Sequence, residues 1–509
     1  VDPRTPVIVG VGQHTWRDAT PTSPRELMRL AIEGAVADTG APGVLGRVQS
    51  LGVVDSFSWG TADPAALLAE DLGISPAETV YTHTSGTSPL DLLADSAGRI
   101  SAGELDAALI TGGEAVKALF GGRYGGGPKQ PEGTAPSRML GIDREPQHAA
   151  EAAAQLLIPV AFYPLFENAI RADAGSGTDE HLEWLGRLWA SFADVATVNP
   201  HAVMGAAPSA HDITTAGPRN RMAAAPYRKL MTANIFVDQA AALVVCSAEA
   251  ARAAGIDPAN WVFVHATATA NDHWFPSERP HLHRSPAIAA VGDAVLTHAG
   301  LDIDDIAHLD LYSCFPSAVQ VAATELGLNR AALTDRNRPP TVTGGLTFAG
   351  GPGSNYVTHS VATLATRLRA EPEQYGLATA VGWYLTKHAG VVLSGRPPDT
   401  PYAHHDRTTE VSRLPRRAIT TGATGAATVE TYTVVYGRSG EPERGIVLCG
   451  LPDGSRAVAA SEAPDTIAAL LGSDPLGTKA DLFPTRLPPP ANRERSAPPA
   501  PVTGFHIPG

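Results

Sequence analysis

The stretch His308-Leu309-Asp310-Leu311-Tyr312-Ser313-Cys314-Phe315-Pro316 reads as a strand running straight into a helix. Residues 308–314 suit an extended chain. Pro316 suits the first helical turn, where its ring presets φ and no N–H is needed, and the helix it opens runs to Leu326. The same succession recurs on both sides. Around it lie strands at 261–269, 376–384 and 390–395 and helices near 285–299 and 355–369. Further back, strands are predicted at 6–12, 48–58, 78–83, 105–113 and 239–247. Helices fall between them at 63–72 and 85–101, and from Ser23 to Gly40, where Ser23 caps, Pro24 begins the helix and Glu26 completes the signal. Strands alternating with helices predict an α/β layered architecture with a mainly parallel sheet. Two halves of similar order predict an internally duplicated fold, although no sequence repeat is evident.

Two regions break this rhythm. Residues 118–235 carry a Gly-rich loop at 121–133 and helices near 148–172 and 178–198, and read as an insertion crowning the layered core. After the linker 395–401, the stretch 426–438 alternates apolar and polar residues, and 444–461 reads as two strands around Pro452-Asp453-Gly454. This predicts a small antiparallel barrel or OB-like module. The expected organisation is 1–117 plus 236–260 for the first half, 118–235 for the insertion, 261–397 for the second half, 398–487 for the β module and 488–509 for a Pro-rich extended tail.

Composition narrows the function. The chain has 509 residues and a net charge of −14 with no Lys/Arg run, which argues against a general nucleic-acid binder. Its three cysteines, Cys246, Cys314 and Cys449, are far apart, so neither a disulfide framework nor a structural zinc site is expected. His404-His405-Asp406 lacks an apparent third ligand, and no metal is predicted. The start has no basic segment followed by an apolar run, and no apolar stretch is long enough to span a bilayer, so the expectation is a soluble cytoplasmic protein. The 121–127 segment, GGRYGGG, does not have dinucleotide or P-loop spacing.

Four segments carry the chemistry: 81–88 (YTHTSGTS), 310–316, 350–360 (GGPGSNYVTHS) and 376–384 followed by His388. A strand-to-helix junction such as 81–88 is a good place for a nucleophile, because a helix N-terminus stabilises negative charge. In this order the segments resemble the thiolase superfamily, above all the sterol-carrier-protein type of thiolase, over roughly residues 5–396. That type carries His-Asp-Cys-Phe where this chain has Tyr312-Ser313-Cys314-Phe315, and residues 232–242 resemble its Asp-Gly-Ala-Ala strand entry. The resemblance implies a duplicated, layered αβαβα fold, a loop domain that cradles coenzyme A, and acyl-transfer or Claisen chemistry. It also leaves room for a homo-oligomer.

Carried over position by position, the catalytic set is degenerate. The thiolase Cys-x-Ser/Thr-Gly becomes His83-Thr84-Ser85-Gly86, so His83 stands at the nucleophile position and no cysteine lies in residues 1–245. Tyr312 replaces the Asn or His of the second motif, and His359 is the nearest match to the His of Gly-His-Pro. Near Val381-Gly382 there is no cysteine. A thiolate attacks a thioester reversibly without a strong base, and imidazole or serine does not replace it without a new partner. Standard thiolase activity is therefore predicted absent. His83 also suits a neutral core histidine, Ser85 a substitute nucleophile or, more simply, a helix cap, and Cys314 a buried structural residue. Gly350 and Gly351 mark a tight loop beside a ligand. Arg221, Arg228 and Lys229, together with Arg219, are candidates for coenzyme A phosphates.

The expectation is a thiolase-like protein that binds coenzyme A or an acyl-CoA in fatty-acid or sterol metabolism, with no covalently bound cofactor. Two alternatives stay open. One is a thiolase-like retro-aldolase on β-hydroxyacyl-CoA using Tyr312 and Tyr356, as a cysteine-less branch of the superfamily that works with an OB-fold partner uses tyrosines near these motifs. The other is a non-catalytic scaffold whose C-terminal module docks a partner protein.

Overall fold

A computed structural model of the chain describes residues 1–121, 134–472, 474–487 and 500–508. Of the Gly-rich loop expected at 121–133, residues 122–133 lie outside the described residues. At the centre, strand Pro6–Thr15 pairs antiparallel with Asp238–Ser247, and through Val7 and Ile8 it also pairs antiparallel with Val262–Asn271. That second pairing joins the two halves. Moving outward in the first half come Asp238–Ser247, Ala107–Ala115, Ser50–Val53 and Glu78–Thr82. Moving outward from Val262–Asn271 come Lys387–Ser394, Tyr375–Gly382 and Ile306–Asp310. The sense of pairing matches as well. Each half steps outward through two antiparallel junctions and then a parallel one. The duplication is therefore architectural. The expectation of a mainly parallel sheet is corrected, because the central strands of both halves pair antiparallel along the main strand order, and parallel pairing is found on the flanks and where Ala403–Asp406 adds to Val262–Asn271.

The halves enclose a middle layer made of helices Ser88–Ser101 and Tyr356–Ala370. Each packs against strands of both halves and is largely buried. Helix Pro24–Asp38 covers the outer face of the first half and Pro286–Ala299 that of the second, completing five layers. Ser23 caps the first of these through its side chain, which accepts from the Glu26 N–H. Gly12 permits the close approach of strand and helix, since a Cβ there would fall 2.0 Å from the Ala31 carbonyl oxygen.

The C-terminal module is a closed five-stranded barrel. Gly425–Tyr436 pairs with both Pro442–Gly450 and Lys479–Leu487, and Arg456–Ser461 pairs with Pro442–Gly450. Ala500–His506 closes the ring between Lys479–Leu487 and Arg456–Ser461. The segment expected as an extended tail thus includes a barrel strand, because Val502 and Phe505 are apolar enough to bury inside the closed sheet. Val429, Val447, Cys449 and Phe505 form much of that interior. Two segments cross the expected boundaries. Ala403–Asp406 pairs with Val262–Asn271 and so belongs to the core sheet. The hairpin Met222–Ala224/Tyr227–Arg228, from the insertion, joins the barrel sheet at Val435.

The barrel is tied to the core by buried polar contacts. Arg456 Nη1 donates to the carbonyls of Ser277 (2.9 Å) and Arg279 (2.7 Å). Arg171 forms a two-pronged ion pair with Asp474 at 2.6 and 2.8 Å. Asn168 Nδ2 donates to the Tyr432 carbonyl at 2.9 Å. Among the described residues no helix is long and apolar enough to cross a membrane.

Candidate functional site

A cavity of about 460 Å³ opens where the four motif segments meet the inserted region. The first half contributes Thr84, Ser85 and Gly86, from the turn before helix Ser88–Ser101. The second half contributes Tyr312, Cys314 and Phe315, from the turn before helix Pro316–Glu325. Gly351 and Ser354 come from the third segment, and Val381 and Trp383 from the fourth. The insertion supplies an apolar wall of Ile158, Val160, Tyr163, Ala233 and Ile235. It is held against the second half by the Ala233 N–H donating to the Cys314 carbonyl at 3.0 Å.

Ser85 is fixed on every side. Its N–H donates to Ser354 Oγ at 3.2 Å, its Oγ lies 2.8 Å from Thr87 Oγ1, and the Thr87 N–H donates to Ser85 Oγ at 3.2 Å. Gly86 is required by close packing, since a Cβ there would lie 2.2 Å from the Val381 carbonyl oxygen and 2.6 Å from the Tyr312 hydroxyl. Tyr312 is placed by its N–H, which donates to Thr379 Oγ1 at 2.9 Å. Its hydroxyl has no hydrogen-bond partner among the described residues. Burial raises the Tyr312 phenol above its ordinary pKa, so it serves as a hydrogen-bond donor rather than a base. Cys314 is the only thiol at the cavity. Burial pushes it up to about 12, so at neutral pH it is a thiol and a poor nucleophile. Cys246 and Cys449 are core residues of the first half and of the barrel.

The remaining candidates lie elsewhere. His83 is half-buried and off the cavity wall, and its main chain is used by bonds to Leu140 and Ser88. His359 is buried with Nδ1 2.9 Å from Gln13 Oε1, and burial lowers it to about 3, so it stays neutral. In the same segment Gly351, Gly353 and Ser354, not His359, line the cavity. Gly350 packs on Gln239, whose Oε1 would lie 2.1 Å from a Cβ at that position. Tyr356 stacks edge-on against Tyr312 with ring centres 5.6 Å apart. Its hydroxyl, however, points away from the cavity to Thr343 Oγ1 (2.6 Å) and Asp310 Oδ2 (3.0 Å). Arg221 and Arg228 donate to the nearby carbonyls of Met222 (2.8 Å) and Pro226 (2.6 Å), while Lys229 is exposed. None of these three lines the cavity. His388 sits 3.3 Å from Asp272, and His404 and His405 bond to Thr267 and His298.

The 158–160 wall carries no motif of its own, whereas Trp383 falls near the end of the fourth segment. The one local signal is a turn between two strands in which Trp383 (φ 56°) and Leu385 (φ 51°) take the left-handed conformation unusual for bulky residues.

The duplicated halves, the buried middle helices and a cavity at the motif junctions define a protein of the thiolase fold. The comparisons agree and go further. The family model described as the thiolase-like protein type 1 additional C-terminal domain matches residues 406–484. A monomeric SCP2-thiolase-like protein type 1 from Mycobacterium smegmatis is 30% identical, with a TM-score of 0.83, over 100% of both chains. The chain therefore belongs to the SCP2-thiolase-like proteins of type 1. More distant structures share the fold. The Ltp2–ChsH2(DUF35) aldolase is 21% identical with a TM-score of 0.59, over 77% of this chain and 98% of that one. The Acat5 thiolase from Ascaris suum in complex with coenzyme A is 16% identical with a TM-score of 0.53, over 77% of this chain and 99% of that one. No curated protein is similar enough to match.

Proposed function

We propose that this protein binds a coenzyme A thioester, with the acyl end in the 460 Å³ cavity, and that it does not perform thiolase chemistry. The observation that carries the reading is the composition of the cavity wall. It is largely apolar, its polar side chains among the described residues are hydroxyls, the Trp383 indole and one high-pKa thiol, and no described histidine or carboxylate lines it. Such a wall accepts an acyl chain but supplies neither the thiolate nor the base that reversible thiolysis requires. The thiolase from Ascaris suum crystallised with coenzyme A supports the ligand class. Because Arg221 and Arg228 bond to their own hairpin, the exposed Lys229, one turn from the wall residue Thr232, is the better candidate for a phosphate contact. Calorimetric titration with coenzyme A and butyryl-CoA tests the reading. Saturable binding is expected, with acetoacetyl-CoA thiolysis at background; no binding, or thiolysis at ordinary enzyme rates, would sink it.

The retro-aldolase reading keeps one favourable feature, the unpartnered Tyr312 hydroxyl at the cavity, but Tyr356 is turned away and burial works against a tyrosinate base. The docking reading loses ground because the barrel already spends Arg456, Thr431 and Tyr432 on its own core.

A further inference from the structure

On the far side of helix Ser88–Ser101 from the acyl cavity lies a second, polar cavity of about 500 Å³, whose lining includes Thr87, Asp91, Lys387 and His388. The two cavities share a wall. Ser85 faces the first and Thr87 the second, and their hydroxyls are 2.8 Å apart. Thr87 Oγ1 donates in turn to Asp91 Oδ2 at 3.0 Å, so Ser85 Oγ must donate to Thr87 Oγ1. The result is a directed chain from the Ser85 hydroxyl, through Thr87, to a carboxylate. Lys387 is 5% exposed, and its Nζ has no hydrogen-bond partner among the described residues; it supplies the charge that compensates Asp91. Room for the arrangement comes from Gly382, where a Cβ would fall 2.3 Å from Ser85 Oγ.

From this geometry we infer that Ser85 is an acyl-accepting nucleophile, with Thr87 and Asp91 as positioning residues that take its proton. The inference rests on the reading that the cavity receives an acyl thioester. Ser85 Oγ bonds to the carbonyl carbon while its proton passes to Thr87 Oγ1 and the Thr87 proton to Asp91 Oδ2. The carbonyl electron pair moves onto oxygen, beside the Gly86 N–H and the Tyr312 hydroxyl, neither of which has an acceptor among the described residues. Collapse breaks the C–S bond; the thiolate leaves and takes a proton from solvent, while Asp91 gives up its proton to solvent through the polar cavity it lines, so a serine ester and a free thiol remain. Water then hydrolyses the ester to a carboxylic acid and restores Ser85. Burial holds the Asp91 carboxyl above its ordinary range, which suits a group that must accept a proton near neutrality.

The test is intact-mass spectrometry and peptide mapping of the full chain after rapid mixing with p-nitrophenyl butyrate and, separately, butyryl-CoA. The expected result is one butyryl group on Ser85, or, where water clears it, sustained nitrophenolate release. Ser85→Ala should abolish both. Thr87→Val should slow acylation about 10²-fold, the scale of a lost general base, while keeping the wild-type circular dichroism spectrum, and Thr87→Ser should restore the rate. Acylation of Ser85 by the ester without calorimetric binding of coenzyme A removes the coenzyme A reading and leaves the nucleophile standing. Coenzyme A binding with no acyl transfer to Ser85 from either compound overturns the nucleophile. Wild-type acylation rates in Thr87→Val overturn the relay.

Discussion

Replacing Arg456 by methionine tests whether the barrel and the core are one mechanical unit. The Arg456 guanidinium is buried and makes three bonds: Nε to Glu430 Oε2 at 2.7 Å, and Nη1 to the carbonyls of Ser277 at 2.9 Å and Arg279 at 2.7 Å. Methionine refills most of the volume, so little cavity cost arises. Glu430 keeps a partner, because Arg417 Nη1 donates to its other oxygen at 2.6 Å. The cost therefore comes mainly from two buried carbonyls that lose their only donor among the described residues. Bonds to a charged donor contribute about 1.5–3 kcal/mol each, and removing one partner of a buried charged cluster costs about 3–5 kcal/mol, so a loss of about 3–4 kcal/mol is expected. All seven tryptophans lie outside the barrel, so the two bodies can be followed separately. Urea unfolding followed by tryptophan fluorescence reports the core, and hydrogen exchange over Arg456–Ser461 reports the barrel. Both should weaken, because Ser277 and Arg279 adjoin Trp274. A loss under about 1 kcal/mol, or loss of barrel protection with no change in the core transition, would refute the coupling.

Other substitutions probe separate links. Gly86→Ala places a methyl against the Val381 carbonyl and the Tyr312 hydroxyl, so overpacking should cost about 1–3 kcal/mol in thermal unfolding and weaken butyryl-CoA binding in calorimetry. Phe505→Ala should cost about 3–5 kcal/mol of barrel stability by hydrogen exchange, because Phe505 is fully buried in the closing strand; a change under 1 kcal/mol would mean that the strand does not close the ring in solution. Burial lowers His265 to about 4, far below an exposed imidazole. The folded state stays neutral while the unfolded state takes up a proton, so stability is lost as pH falls through about 6.5 towards 4. Wild-type stability should drop there by up to about 1.4 kcal/mol per pH unit for this group, and His265→Gln should flatten that limb in urea titrations.

The layered core was legible because its signals are local. Ser23, Pro24 and Glu26 mark a helix start without tertiary help, and the alternation of strands with helices carries the rest. The sense of strand pairing was not legible, since a run such as residues 239–247 reads as buried whether its neighbours lie parallel or antiparallel. The closing barrel strand was hidden for a different reason. It follows a Pro-rich stretch, and only burial of Val502 and Phe505 inside a ring formed by distant strands makes it a strand. At the site, motif position led to turns whose residues Ser85, Gly86, Tyr312 and Gly351 line the cavity. It also put forward His83 and His359, residues a few positions from those turns whose side chains face other neighbours. Side-chain direction at a turn is set by what packs behind it, and one or two residues of offset exchange cavity for core.

That offset also sharpens what the site can do. The groups near the motif turns that carry charge lie off the apolar cavity: Asp91, Lys387 and His388 line the polar cavity, while His359 is neutral beside Gln13, and Tyr312 and Cys314 on the apolar wall are held neutral by burial. An acyl chain entering the apolar side meets no charge to desolvate, which favours its burial. Charge remains available within one helical turn, but only through the Thr87 hydroxyl, because Gly86 on one side and Gly382 on the other leave no room for a side chain between Ser85 and its surroundings. A thiolase holds its reactivity in a thiolate at the cavity floor. Here a neutral hydroxyl occupies the floor and the charge sits behind it, so reactivity depends on an intact hydrogen-bonded path. Loss of one oxygen atom at residue 87 should then slow acylation about 10²-fold, whereas in a purely structural site it costs no more than the two hydrogen bonds it makes.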